Sequence, residues 1–236
     1  CQPGYFDQLL PGPSAVGELL EQVQPELSAV RLVKGGEDKD PATYRRADGG
    51  LDPVRVSDGL ADGYTIVLNG LERYSRTIAS LSHSIEAELN FPTRVNAYVT
   101  PASNRGFDPH YDVHDVLVLQ IAGAKRWTIH PPVHEHPLAD QPWTDRREAV
   151  AARANQPPVI DAVLEPGDAL YLPRGWLHSA QALGETTIHL TVGIHATTRY
   201  DVLQALVALA ADSPELRATL PLGIDAELCL ESDQPL

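Results

Sequence analysis

Between residues 94 and 195 the sequence breaks into short runs rich in β-branched and apolar residues, closed by turn signals. The runs are Arg94–Thr100, Asp115–Ile121, Lys125–Ile129, Val159–Leu164, Ala169–Leu172, Ser179–Leu183 and Thr186–His195. Ile121-Ala122-Gly123-Ala124-Lys125 reads as a hairpin turn, and Pro166-Gly167-Asp168 as a second tight turn. Many short strands with turns between them point to a sandwich or barrel. Tyr64–Leu68 adds a buried strand, ended by Asn69-Gly70. Leu71, Tyr74, Ile78, Leu81, Ile85 and Leu89 then fall at helical spacing.

The flanks read differently. Residues 1–30 form a loop and then a helix, with Ser14 as a cap and an apolar stripe of Leu19, Leu20, Val23 and Leu27. Residues 35–63, rich in Gly and Asp, read as loop with short turns. Residues 131–158 are an insertion holding prolines and histidines, with helix potential limited to Arg146–Ala154. Thr198–Ala211 is an amphipathic helix through Val202, Leu203, Leu206 and Leu209, and Ser213–Leu220 a further short one. The expected organisation is a helical and loop region over 1–63, a β core over 64–197 and a helical segment over 198–236. The fold class is mainly β, with the helices packed outside the barrel.

His110-Tyr111-Asp112 lies in this strand-rich region, and His178 follows 68 positions after the first histidine (178 − 110). Side chains of an extended chain alternate faces, so His110 and Asp112 converge while Tyr111 turns away. A third ligand from a distant strand completes one triangular face of an octahedron. Two histidines and one carboxylate with open positions opposite form the facial triad of non-heme iron(II) oxygenases. Oxygen and a co-substrate need those positions. The competing reading is a polar pair at a strand start, with Pro109 and Asp115 suiting a solvated turn. For His178, just past a Pro-Arg-Gly turn, it is a histidine satisfied by backbone. His114 shares the face of His110, but an i+4 strand position lies roughly 13 Å away. It reads as a pocket residue. His130, His134 and His136 sit in the irregular insertion and are assigned no metal. Trp176 either shapes the pocket or simply packs.

Composition narrows the function. The chain has 236 residues, 43% hydrophobic and 21% charged, as a globular domain does. No apolar run approaches the roughly 18 residues that span a membrane, and no secretory signal opens the chain. Cys1 comes first and Met is absent, so further N-terminal sequence is expected. Cys1 and Cys229 are the only cysteines, which fits a reducing cytoplasm better than a disulfide framework. The formal net charge of −14 comes without a basic run, which argues against nucleic acid as a direct partner. Acidity suits a basic protein or peptide partner, or serves solubility alone.

Several motifs in order carry a resemblance. Asn96-Ala-Tyr-Val-Thr-Pro, Gly106-Phe-Asp-Pro-His-Tyr-Asp112 and Leu119-Gln-Ile-Ala-Gly-Ala-Lys-Arg-Trp127 resemble the JmjC-type oxygenases. So do Pro166-Gly-Asp-Ala-Leu-Tyr-Leu-Pro-Arg-Gly-Trp-Leu-His178 and Ile188-His-Leu-Thr191. The nearest subgroup is the ribosomal-oxygenase-like JmjC proteins of the cupin superfamily, over roughly Tyr64–Tyr200. This resemblance implies a double-stranded β-helix, or jelly roll, with Fe(II), 2-oxoglutarate as co-substrate and O2. It implies that His110, Asp112 and His178 bind the iron. Lys125 maps onto the residue that pairs with the distal carboxylate of 2-oxoglutarate, and Asn96, Tyr98 and His189 line that pocket. Members of the subgroup hydroxylate ribosomal-protein side chains and carry dimerisation and winged-helix parts after the oxygenase domain. Here 41 residues (236 − 195) follow the last strand, too few for a full winged helix.

Lys125, Trp127 and Ile129 share one face of a strand. If that face is interior, Lys125 is a buried cation, costly unless paired. A dicarboxylate co-substrate supplies the pair. The alternative puts Arg126 inside and Lys125 at the exposed edge. The expected activity is hydroxylation of a protein or peptide side chain, a ribosomal protein first, in the cytoplasm and away from membranes. Its rivals are a hydroxylase of a biosynthetic peptide or small metabolite, and a cupin-like metal-binding or sensor module without turnover. The C-terminal helices either make a homodimer, as the resemblance implies, or cover one end of the barrel.

Overall fold

The computed structural model describes residues 6–220 and Gly223, so Cys1 and Cys229 lie outside the described residues. The chain divides into two units, residues 1–196 and 197–236. The first is built on one sheet. Its strands are β1 (Val30–Lys34), β2 (Glu37–Asp38), β3 (Thr65–Leu68), β4 (Thr93–Thr100), β5 (Asp115–His130), β6 (Ile160–Leu164), β7 (Ala169–Leu172) and β8 (Leu177–Ile194). The order is β2-β1-β3-β4-β8-β5-β6, with β7 also paired to β5 and every pairing antiparallel. The mainly β class expected from the strand runs is what forms.

Residues 121–125 are not a hairpin turn. The chain passes through them without reversing, so the two expected strands on either side are one, β5, and the last two runs likewise merge into β8. A bulge replaces the reversal. Gln120 pairs with His189 and Ala122 with Ile188, so β5 advances two residues while β8 advances one. An odd insertion swaps the faces of everything beyond it. Before the bulge the even residues Val116 and Val118 face the barrel interior; after it the odd residues Trp127 and Ile129 join them in the same cluster. The Gln120 side-chain amide clamps the corner, donating to the carbonyls of Ala122 (3.0 Å) and Gly123 (2.9 Å). The first half of β5 pairs with β7, the second with β6, and the turn over 165–168 joins them.

Gly123 has φ +61°, and a Cβ there would lie 2.8 Å from the Thr186 carbonyl oxygen. Gly123→Ala is therefore expected to destabilise the protein by about 1–3 kcal/mol. A thermal melt checks this, and an unchanged midpoint would mean that the corner relaxes freely.

Outside the sheet, α1 (Pro13–Glu18) runs into a π turn over Leu19–Val23. Gly12, not Ser14, stands at its N-cap. Val16, Leu19 and Leu20 are buried, whereas Val23 is 46% exposed. The stretch expected as loop contains α2 (Pro53–Ala61). Its start was readable: Asp52 caps Val54 and Arg55, and Pro53 fills the first turn. β1 was also missed, a five-residue run on the edge of two assigned segments. The helical spacing of 71–89 resolves into a 3-10 turn (Leu71–Arg73) and α3 (Arg76–Leu89), capped by Ser75. The insertion's helix is α4 (Arg147–Ala154).

In the second unit, α5 (Arg199–Ala210) starts at a Thr198–Asp201 capping box. Val202, Leu203, Leu206 and Leu209 are all exposed. Ser213–Leu220 forms turns rather than the expected helix; eight residues without packing cannot meet the cost of nucleation.

Candidate metal centre

His110, Asp112 and His178 come together. Each offers one ligand atom, and these atoms lie within 4.8 Å of one another. Among the described residues this is the one such group of three. Backbone geometry sets it up. His110 bridges His178, with the His178 N–H donating to the His110 carbonyl at 2.8 Å and the reverse bond at 3.2 Å. His110 Nδ1 lies 2.8 Å from the Asp108 carbonyl, and His178 Nδ1 lies 3.1 Å from that of Trp176. An Nδ1–H donating to each carbonyl leaves Nε2 with the lone pair a metal needs. The Gly175 N–H donates to the Asp112 carbonyl at 3.0 Å, which ties Asp112 to the turn before His178. Tyr111, between the ligands, turns away and is buried with Val150 and Leu177.

Electrostatics prepare the same donor set. Burial, with His110 close by, pushes His178 down to about 4 against the pull of Asp112, so its ring is neutral near pH 7. Burial alone would raise the Asp112 carboxyl, but His178, His110 and His114 draw it below its ordinary value. Two imidazoles and one carboxylate on one side of a point suit a divalent first-row metal. His178 Nε2 and Asp112 Oδ2 stand 3.6 Å apart, beyond a hydrogen bond, so the ligands do not satisfy each other.

A cavity of about 560 Å³ opens from these residues. Asn96, Tyr98 and Thr100 of β4 line it, together with Thr191 and His189 of β8, the cross-strand partners of Asn96 and Tyr98. The Tyr98 and His189 rings stack at 4.8 Å. Burial, then the Asp112 carboxylate, pushes the Tyr98 hydroxyl up to about 12, so it stays protonated. Asn96 Oδ1 accepts the Gly70 N–H at 3.0 Å.

Lys125 is 3% exposed and lines this cavity. Its Nζ donates to Thr100 Oγ1 at 2.9 Å and sits 3.0 Å from His189 Nδ1. No carboxylate among the described residues pairs with it, and burial pushes its amine down to about 7. Burial, with Lys125 beside it, holds His189 well below its ordinary value, so the ring accepts rather than competes. Arg126, the alternative interior cation, points outward to Asp161, 2.6 Å from Nε to Oδ1. A buried lysine without a counter-charge fits a ligand that brings its own carboxylate.

Other expected residues fall elsewhere. His114 lines the cavity and stacks on His195 at 4.8 Å, outside the ligand group. Trp176 packs against the interior cluster; its backbone carbonyl, not its indole, serves the site. Thr100 was overlooked, though alternation from Asn96 and Tyr98 points to it. Phe107 edges the cavity from a loop, Arg31 from β1, Trp143 from a 3-10 turn and Arg147 from the start of α4, where no shared periodicity announces them.

The fold and this arrangement define a class: an antiparallel β fold in which two histidines and one carboxylate converge on a cavity. A family model for the JmjC domain matches residues 72–202. The chain belongs to the JmjC-domain family. It is 35% identical over 136 residues to the bifunctional lysine-specific demethylase and histidyl-hydroxylase NO66 of Drosophila persimilis, covering 55% of this chain and 19% of that protein. Ribosomal oxygenase 1 of Homo sapiens is 31% identical over 160 residues, 64% of this chain and 24% of that one. The solved structure of YcfD, a ribosomal oxygenase from Escherichia coli in complex with cobalt and 2-oxoglutarate, has a TM-score of 0.56 at 17% identity. That match covers 91% of this chain and 54% of the other. The chain spans only 14–36% of the length of the curated relatives it matches. No helix among the described residues is long and apolar enough to cross a membrane.

Proposed function

We propose that the protein is an Fe(II)- and 2-oxoglutarate-dependent oxygenase that hydroxylates a side chain of a protein substrate, with a basic ribosomal protein as first candidate. The observation that carries this reading is Lys125, a buried cation with no carboxylate partner in the same cavity as His110, Asp112 and His178. In this reading those three residues hold the iron. Lys125 takes the distal carboxylate of 2-oxoglutarate, while Asn96, Tyr98 and His189 shape its berth. Bound iron and 2-oxoglutarate together supply an oxidant able to take hydrogen from a C–H bond, leaving succinate and carbon dioxide. The chain's own part is orientation and exclusion of water. His189 Nδ1 and Thr100 Oγ1 aim the ammonium, and the Tyr98 hydroxyl remains a donor. The net charge of −14 supports a basic partner. A cytoplasmic location and a homodimer through the exposed apolar side of α5 belong to the same proposal.

The test is succinate formation from 2-oxoglutarate by the anaerobically Fe(II)-loaded protein after air is admitted, with and without total ribosomal protein. Absence of turnover in every condition, with iron still bound, would favour a metal-binding or sensor module.

Lys125 also sets a pH dependence. Its amine is pushed down to about 7 in the free protein, and the carboxylate requires the charged form. Binding of 2-oxoglutarate therefore takes up a proton above that pH. Affinity is expected to fall about tenfold per pH unit above 7, until the raised lysine pKa of the complex is reached. Calorimetry in buffers of different ionisation enthalpy reads the proton directly. Zero uptake at pH 8 would place the carboxylate elsewhere.

A further inference from the structure

The insertion over residues 131–158 is bound to the backs of the metal ligands. The Tyr111 hydroxyl donates to the Gln141 carbonyl at 3.0 Å, and Tyr111 is the residue between His110 and Asp112. Gln141 Oε1 accepts the Leu138 N–H at 3.0 Å and sits 3.0 Å from His134 Nε2. Gly175, whose N–H holds the Asp112 carbonyl, lies so close to the insertion that a Cβ would come 2.7 Å from the His134 carbonyl oxygen. Two residues beyond Gln141 stands Trp143. It packs against the cluster of Tyr111, Val150 and Leu177, and the Arg147 guanidinium covers its ring at 4.7 Å. Unlike Tyr111, it is only partly buried. Its remaining surface lines the cavity, with the ring centre 6.2 Å from that of His110.

We infer that Trp143 is a specificity-determining residue: it forms the wall beside His110 along which the substrate side chain passes. The Tyr111–Gln141 hydrogen bond keeps that wall in register with the ligand pair. The physical reasons are its size, its fixed ring and its place. An indole carries a large apolar surface at small entropic cost, so contact with it discriminates strongly. A ring held by packing on one side and by a guanidinium on another cannot swing aside to admit a misplaced side chain. Nothing in the ligand set itself selects a substrate, so selection belongs to walls such as this one.

The inference rests on the oxygenase reading, and the experiment separates the two. Wild type, Trp143→Ala and Trp143→Phe are loaded with Fe(II) and supplied with 2-oxoglutarate and total ribosomal protein as the probe. The readout is the probe concentration giving half-maximal succinate formation, set against the maximal rate. In parallel, the visible absorption band of the Co(II)-loaded proteins reports the ligand geometry. For Trp143→Ala the half-maximal concentration is expected to rise about tenfold, with Trp143→Phe recovering most of the loss. The Co(II) band is expected to stay in place. A wild-type half-maximal concentration in Trp143→Ala overturns the inference and leaves the oxygenase reading standing. A displaced Co(II) band overturns it too, because the ring then acts through the metal ligands. Wild type without succinate in any condition removes the oxygenase reading and this inference with it.

Discussion

Asp112→Ala is expected to abolish metal binding and turnover while leaving the barrel folded. Losing a group that merely supports a ligand costs about 10–100-fold in metal affinity, so loss of the carboxylate proposed to hold the metal should exceed about 100-fold. The two histidines keep their Nδ1 bonds to Asp108 and Trp176, and the bridge between residues 110 and 178 is made by backbone alone. The fold therefore has no need of the carboxylate. Calorimetric titration with Co(II), with circular dichroism alongside, measures both halves. Metal affinity within a few-fold of wild type would show that the ion sits elsewhere.

Lys125→Met should separate function from stability in the opposite sense. Methionine keeps the length and removes the charge. Binding of 2-oxoglutarate is expected to vanish, while Co(II) binding persists, because Lys125 is not among the ligand group. The folded protein holds the lysine amine at about 7 against an ordinary 10.5, so its burial opposes folding. The sign follows from that depression: the cost is fully present below about pH 7 and fades as pH rises toward the unfolded value. At neutral pH the variant loses this cost but leaves His189 Nδ1 without its lysine partner, a partial offset, while Thr100 Oγ1 keeps the 3.3 Å bond from Thr65 Oγ1. Its melting temperature should be no lower than that of wild type and up to roughly 5 °C higher. Surviving 2-oxoglutarate turnover would end the proposed role of Lys125.

How much of this was legible in the chain depends on how local each signal is. Alternation alone brings His110 and Asp112 to one side and sends Tyr111 to the other, and the structure arranges all three so. The interior position of Lys125 rather than Arg126 was open, because period-2 reasoning orders a strand's faces without saying which is inside. The corner at residues 121–125 was misread because a glycine between alanines signals a bend equally well in a hairpin and in a bulge. What distinguishes them is the Gln120 side chain folding back onto the carbonyls of Ala122 and Gly123, a contact with no sequence period. α2 was lost to its Gly- and Asp-rich surroundings although Asp52-Pro53 marks its start. Trp143 reaches the cavity from an irregular insertion, by tertiary packing alone.

The bulge in β5 acts as a reading frame for the barrel. One residue there decides which of two adjacent cations is read inward: with it Lys125 meets Thr100 and His189, and without it that inward place passes to Arg126, which now faces Asp161. A single-residue deletion between Ile121 and Ala124 would thus exchange a compact ammonium for a forked guanidinium at the heart of the cavity and turn Trp127 out toward solvent, without touching any metal ligand. Changes of length at this corner therefore bear more on chemistry than most changes of side chain, and related chains are best aligned on the corner before their inward-facing cations are compared.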